Sequence, residues 1–186
     1  AITGLTCAEV GGHIYDTNGG YSGGGSASTA CLLSDPALLT TAKNDLTTAY
    51  NDAAGRTTTS TIPTELGGST LTDGPYDSSA GTFGITGTLT LDGQGNANAV
   101  FIFKMASTLI TASSSQVILT NSAQACNVYW QVGSSATLGT STTLRGNILA
   151  LTSITDNGSS TVYGRLLARN GAVTLGNTTV TKKTSA

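Results

Sequence analysis

After Thr82 the chain falls into short segments in which apolar and polar residues alternate, and three kinds of segment recur in a fixed order. The first kind opens with an apolar block: Val100-Phe101-Ile102-Phe103, Asn127-Val128-Tyr129-Trp130-Gln131-Val132, Asn147-Ile148-Leu149-Ala150-Leu151 and Arg165-Leu166-Leu167-Ala168. A corner of small residues follows. The second kind comes next, as in Ala136-Thr137-Leu138-Gly139 and Val173-Thr174-Leu175-Gly176. The third is Thr143-Leu144-Arg145-Gly146 or Thr161-Val162-Tyr163-Gly164. Self-similarity at a period of roughly 17 to 27 residues predicts a solenoid.

The three segments differ in which sides they bury. The first is apolar at both parities, so both of its sides should be covered, one by the solenoid core and one by another element. The second and third alternate, which leaves each with one solvent face. In the second segment Phe83, Leu109, Ala136, Ile154 and Val173 should point inward. Thr137, Thr155 and Thr174 should point outward, with Thr82, Thr108, Ser135 and Ser153 two residues earlier on the same face. The third segment offers a rival outward column at Thr88, Gln116, Thr143, Thr161 and Thr179. Asp156 falls in the inward column with Ile85, Leu138 and Leu175, where an unpaired carboxylate would be costly. The expectation is that this coil turns early, at Asn157-Gly158.

A helix is predicted from Asp35 to about Ala54. Asp35 suits an N-cap and Pro36 the first helical position. Leu38, Ala42, Leu46, Ala49, Tyr50 and Ala53 form an apolar stripe at three- and four-residue spacing, which should pack along its whole length and cover the first segments. Gly55 is placed to end the helix in the left-handed conformation. At about 1.5 Å per residue the helix is about 28 Å long. Coils stack about 4.8 Å apart, so it would span about six of them. Four or five are visible after residue 70. Either the first 30 residues supply the rest, or part of the N-terminus is missing. The organisation expected is one domain: residues 1–34 with a Gly/Ser-rich cap loop, a bracing helix over 35–55 and coils over 66–181.

Composition narrows the function. Charged residues are 10% of the 186, so the surface is polar but nearly uncharged, and the formal net charge is -2. The eight basic residues are scattered, which argues against nucleic acid. No apolar run approaches the roughly 18 residues of a membrane span. The repeated apolar blocks argue against disorder.

Cys7 and Cys31 flank the loop Gly19 to Ser28, which a disulfide would close. That bridge implies an oxidising compartment, and hence a secreted protein, extracellular or periplasmic. Two free thiols in a cytosolic protein are the alternative. Cys126 is left over as a small apolar residue, and no Cys/His spacing suits zinc.

Candidate chemistry is sparse. The ten acidic residues are dispersed, and the closest solenoid pair, Asp73 and Asp77, sits in a turn around Gly74-Pro75. His13 is the lone histidine, and no G-x-S-x-G elbow accompanies it. Asp92-Gly93-Gln94-Gly95-Asn96 lacks the acid spacing of a calcium loop, and Gly19 to Gly25 lacks the Lys of a phosphate loop. The expectation is no enzyme, no metal and no cofactor.

Four blocks carry a family resemblance: Asp45 to Arg56, Ala99 to Phe103, Ala123 to Val132 and Gly164 to Leu175. They resemble the microbial ice-binding proteins that pair a discontinuous β-solenoid with an adjoining helix. The resemblance implies a mainly β fold, a three-sided right-handed β-solenoid with one long α-helix packed along one face. It implies a secreted, non-catalytic protein, taken here as a monomer, whose partner is ice or ordered water. It also implies that some tens of residues of extra strand normally precede the position of Ala1, and that the Cys7–Cys31 segment is a cap insertion found in some members. The ice-contacting column implied is Thr137, Thr155 and Thr174, the column already read as outward. The candidate surface is completed by Thr82, Thr86, Thr108, Ser135, Thr140, Ser153, Asn157 and Asn177. An adhesin or glycan-binding solenoid is the second reading; it would want exposed aromatics, and aromatic residues are 5% of the chain.

Overall fold

The structure is a computed structural model that describes residues 5–17 and 31–184. The chain divides into two units, Ala1–Thr47 and Thr48–Ala186. In the first, β1 (Ile14–Asp16) and β2 (Leu32–Ser34) pair in parallel, Ile14 opposite Leu32 and Asp16 opposite Ser34. Cys7 and Cys31 form the disulfide, with Cα atoms 5.6 Å apart. The Gly19–Ser28 loop lies outside the described residues.

The helix α1 (Pro36–Gly55) begins as expected. Asp35 accepts the Leu38 amide at 2.9 Å, and Pro36 is the first helical residue. Its end differs. Gly55 is the final helical residue without a positive φ, and the Arg56 amide closes back on the Ala53 carbonyl at 3.4 Å. A 3₁₀-type closure satisfies a terminal carbonyl without a left-handed residue. Burial on the apolar stripe is concentrated at its C-terminal end, at Tyr50 and Ala53, while Leu38 is 42% exposed.

The second unit is built from coils taken in chain order. The first contributes β3 (Ser60–Ile62) and β4 (Thr70–Leu71), and the second β5 (Gly74–Ser78), β6 (Phe83–Ile85) and β7 (Thr88–Asp92). The third contributes β8 (Phe101–Met105), β9 (Leu109–Thr111) and β10 (Gln116–Thr120). The fourth has β11 (Val128–Val132), β12 (Ala136–Leu138) and the front half of β13 (Thr143–Ala150). The back half of β13 opens the fifth coil, which continues through β14 (Ile154–Asp156) into β15 (Thr161–Ala168). The back half of β15 opens the sixth, completed by β16 (Val173–Thr174) and β17 (Thr179–Thr181).

Every pairing in this unit is parallel and joins neighbouring coils. Three ladders result. The first face runs β3-β5-β8-β11-β13-β15, the second β6-β9-β12-β14-β16 and the third β4-β7-β10-β13-β15-β17. The unit is therefore mainly β and three-sided. The first face carries six strand segments, because Ser60–Ile62 adds a rung too short to stand out in the sequence.

Between the faces lies one apolar core. Phe103 stacks on Trp130 at 4.3 Å and on Tyr76 at 5.6 Å, and meets Phe83 edge-on at 5.9 Å. Trp130 spends its N–H on the Arg145 carbonyl at 3.2 Å, so the indole is buried without an orphaned donor. The outer side of the first face is buried too, at Ile102, Gln131, Asn147 and Leu149, as its double apolar parity predicts. Within this unit the end of the helix reaches that face. Arg169 lies 4.7 Å over the Tyr50 ring, and Lys104 donates to the Arg56 carbonyl at 2.7 Å.

β13 and β15 turn a corner without breaking, at Gly146 and Gly164. Gly146 has φ +119°, and a Cβ there would lie 2.8 Å from Trp130 Nε1. A Cβ on Gly164 would sit 1.9 Å from the Gly146 carbonyl oxygen. Only glycine leaves room for coils to stack this closely at the bend.

Asp156 overturns one expectation. The coil does not turn early: Asp156 stays in β14 opposite Leu138 and is 3% exposed. Its carboxylate accepts the Ser160 and Thr178 hydroxyls and the Gly158 amide at 3.2 Å. Three donors replace the water that burial removes. They extend a buried hydroxyl line along the corner between the second and third faces. There Thr111 and Thr142 hydroxyls meet at 2.9 Å, and Ser160 reaches the Gly139 carbonyl at 3.2 Å.

Candidate functional site

The second face follows from alternation on three-residue strands. Phe83, Leu109, Ala136 and Ile154 are buried, and so are Ile85, Leu138 and Asp156 on the other side of each strand centre. The central residue of each strand therefore points to solvent. Thr137 lies opposite Thr155, and Thr155 opposite Thr174. This register joins the three expected threonines in one column, one rung apart. Val173 departs from its inward assignment by being 41% exposed, because β16 has a strand neighbour on one side only.

The column continues past the threonines. Ile110 lies opposite Thr137 and Gly84 opposite Ile110, and Glu65 bridges to Gly84. Ile110 is 53% exposed. A search for hydroxyl residues passes over it, although the Leu109-Ile110-Thr111 alternation places it beside Thr137. Isoleucine shares the β-branch of threonine, so the column is β-branched over four rungs.

On one flank Thr108, Ser135, Ser153 and Ala172 form a row, each carbonyl accepting the amide of the residue after its neighbour in the previous coil. Thr82 begins that row, since the Phe83 amide donates to the Thr108 carbonyl at 3.0 Å. Ser135 Oγ accepts the Ser153 amide at 3.3 Å. The other flank is less regular. Extending the strand registers puts Thr86 and Asn157 in a row with Ala112, Gly139 and Gly176. Thr140 and Asn177 lie one residue further round, where Thr140 donates to Ser113 Oγ at 2.9 Å and Asn177 has φ +57°.

Among the described residues, Glu65 brings a charge to the first-coil edge of this face. Glu65 accepts the Gly67 amide at 2.7 Å, the Thr86 amide at 2.8 Å and the Thr86 hydroxyl at 3.0 Å. Burial pushes its carboxyl up, but these donors and the Leu66 amide outweigh it and hold the group below its ordinary value. The Thr86 hydroxyl is thereby committed to Glu65.

The rival third face has the expected column, with Thr88, Gln116, Thr143, Thr161 and Thr179 in register. Beside it runs a second outward column in which Thr90 lies opposite Ile118 and Arg145 opposite Tyr163. A guanidinium and a phenol thus stand on that face, next to the threonines. Among the described residues no group of three His, Cys, Asp or Glu side chains could hold a metal ion, and no helix is long and apolar enough to cross a membrane.

Comparison with known proteins places these ladders in a family context. Residues 1–181 match the family model described as ice-binding-like. An ice-binding protein of Nostoc sp. (strain HG1) is 43% identical over 94% of this chain and 67% of its own length. One from Flavobacterium frigoris (strain PS1) is 36% identical over 95% of this chain and 61% of its own. The crystal structure of an ice-binding protein from the Antarctic ascomycete Antarctomyces psychrotrophicus superposes with a TM-score of 0.79 at 42% identity, covering 83% of this chain and 76% of that one.

Proposed function

The chain belongs to the ice-binding-like family, and from that premise we propose that it adsorbs to ice through its second face and so inhibits ice growth and recrystallisation. The observation that carries the assignment is the column Ile110-Thr137-Thr155-Thr174, one β-branched residue per rung with no charged side chain among them. Rungs repeat at about 4.8 Å, near the oxygen spacing along one direction in ice. A threonine hydroxyl anchors a water molecule, and its methyl group restricts the neighbouring waters. β-Branching fixes the rotamer in advance, so little entropy is lost on adsorption. Ions would hold their own hydration shells, and this column carries none. Each contact is weak, but a rigid lattice engages many at once.

Thr137, Thr155 and Thr174 form the centre of the site, with Thr82, Thr108, Ser135 and Ser153 on one flank. Thr86, Thr140, Asn157 and Asn177 border the other. The third face suits the role less well, because Arg145 and Tyr163 stand beside its threonine column. The protein acts as a monomer outside the cytoplasm, a placement that the Cys7–Cys31 disulfide supports.

Substitution separates the two faces. Thr155→Tyr and Thr137→Tyr should abolish ice-crystal shaping while leaving the fold intact, and Thr161→Tyr should leave shaping unchanged. Loss of shaping in Thr161→Tyr alone would move the site to the third face.

A further inference from the structure

The last rung of the second face is held differently from those before it. On the inner coils each three-residue strand sinks both flanking side chains into the interior: Phe83 and Ile85, Leu109 and Thr111, Ala136 and Leu138. Close packing on both sides of the central residue fixes the height and tilt at which it meets solvent. The last rung lacks that anchor. Its inward residues Val173 and Leu175 are 41% and 43% exposed. Its strand, β16, has two residues and pairs with β14 alone among the described strands. Yet this rung carries Thr174, opposite Thr155 in the central column.

What the rung has instead is polar. Asp156 sits one coil before it, in the inward column and buried. Its carboxylate accepts the Thr178 hydroxyl from the corner that follows β16, and the Ser160 hydroxyl and Gly158 amide from its own coil. Backbone bonds flank this tie: the Ser159 amide reaches the Gly176 carbonyl at 2.7 Å, and the Thr179 amide the Ser160 carbonyl at 2.9 Å. A charged acceptor makes the tie to Thr178 stronger than a neutral one would, and burial keeps water from replacing it. We propose that Asp156 is a positioning residue for ice adsorption: through Thr178 it seats the last rung, so that Thr174 lies in the plane of Thr137 and Thr155. The proposal rests on the second face being the one that meets ice. Without the tie the rung keeps its two-residue ladder but is free to tilt. Ordering it at the moment of adsorption then costs conformational entropy, and the rigid lattice loses its end contact.

The test uses the intact chain with Thr178→Val, which removes the hydroxyl at constant shape, and Thr178→Ser, which keeps it. The Ile154 and Ser159 amides donate to the Ala172 and Gly176 carbonyls of the last coil at 2.9 and 2.7 Å, so their hydrogen exchange reports how firmly that coil is seated. Both should exchange at least ~5-fold faster in Thr178→Val and near the wild-type rate in Thr178→Ser. Asp156→Asn, which weakens the same bond, should move them in the same direction. The lowest concentration that stops ice recrystallisation should rise at least ~3-fold in Thr178→Val and in Thr174→Ala, and no further in the double variant than in the worse single one. Val117→Ala, a core truncation on the third coil, should lower global stability and leave both readouts near wild type. Unchanged exchange in Thr178→Val, equal impairment in Thr178→Ser, or losses that multiply with Thr174→Ala overturn the proposal. An equal loss of ice activity in Val117→Ala overturns it too. Wild-type activity in Thr155→Tyr would overturn the face assignment itself, and the exchange rates would then decide separately whether Asp156 seats the rung.

Discussion

Asp156 is where the energetics of this fold can be tested most sharply. Its carboxylate is buried with no ion pair among the described residues, and three donors reach it: the Ser160 hydroxyl, the Thr178 hydroxyl and the Gly158 amide. A hydrogen bond to a charged group contributes about 1.5–3 kcal/mol, so three would sum to about 4–9. Desolvation of the carboxylate offsets part of that. Ser160 would also keep a partner after truncation, since its hydroxyl reaches the Gly139 carbonyl at 3.2 Å. Asp156→Ala should then cost about 2–4 kcal/mol, most of it from the stranded Thr178 hydroxyl and Gly158 amide. Asp156→Asn keeps the shape and one acceptor oxygen and should cost about half as much. Urea denaturation with a common m-value measures both. A loss below about 0.5 kcal/mol for Asp156→Ala would mean that desolvation cancels all three bonds. A larger loss for Asn than for Ala would show that the retained acceptor oxygen does not hold these donors.

Two further predictions concern the coil corners. Gly164→Ala would put a Cβ 1.9 Å from the Gly146 carbonyl oxygen and should destabilise by about 3 kcal/mol or more. Gly87→Ala meets nothing within 4 Å but has φ +82°, and should cost only about 1–2 kcal/mol in thermal unfolding; equal losses would deny the close approach of the coils. Glu65 has a lowered folded pKa, so its contribution is fully present above the ordinary carboxylate value and is lost as pH falls through the lowered one. The stability difference between wild type and Glu65→Gln should be constant above about pH 4.5 and narrow in more acid solution; a difference that grows on acidification reverses the sign.

The parts of the fold legible in sequence are those set by local pattern. Alternation assigned Phe83, Leu109, Ala136 and Ile154 to the core and Thr137, Thr155 and Thr174 to solvent, because a strand's side-chain period is fixed. Asp35-Pro36 fixed the helix start through a bond three residues long. What escaped depends on partners supplied by other coils. Asp156 looks untenable until Thr178, 22 residues on, is stacked beneath it. Arg145 and Tyr163 are 18 residues apart and become neighbours only through the β13–β15 register. Ile110 was hidden differently: its alternation was readable, but a search keyed to hydroxyls discards an apolar residue. Gly55 shows the converse, a residue suited to a left-handed cap in a helix that closes without one.

Ice recognition is assigned to one face whose central column, Ile110-Thr137-Thr155-Thr174, is β-branched and uncharged. Its most direct measurement is partitioning of the intact, fluorescently labelled chain into a slowly growing ice hemisphere, with Thr155→Tyr alongside. The wild-type chain should be incorporated into the ice, and Thr155→Tyr, still folded, should be left in the liquid. Exclusion of the wild-type chain from the ice, or equal incorporation of both, contradicts that assignment.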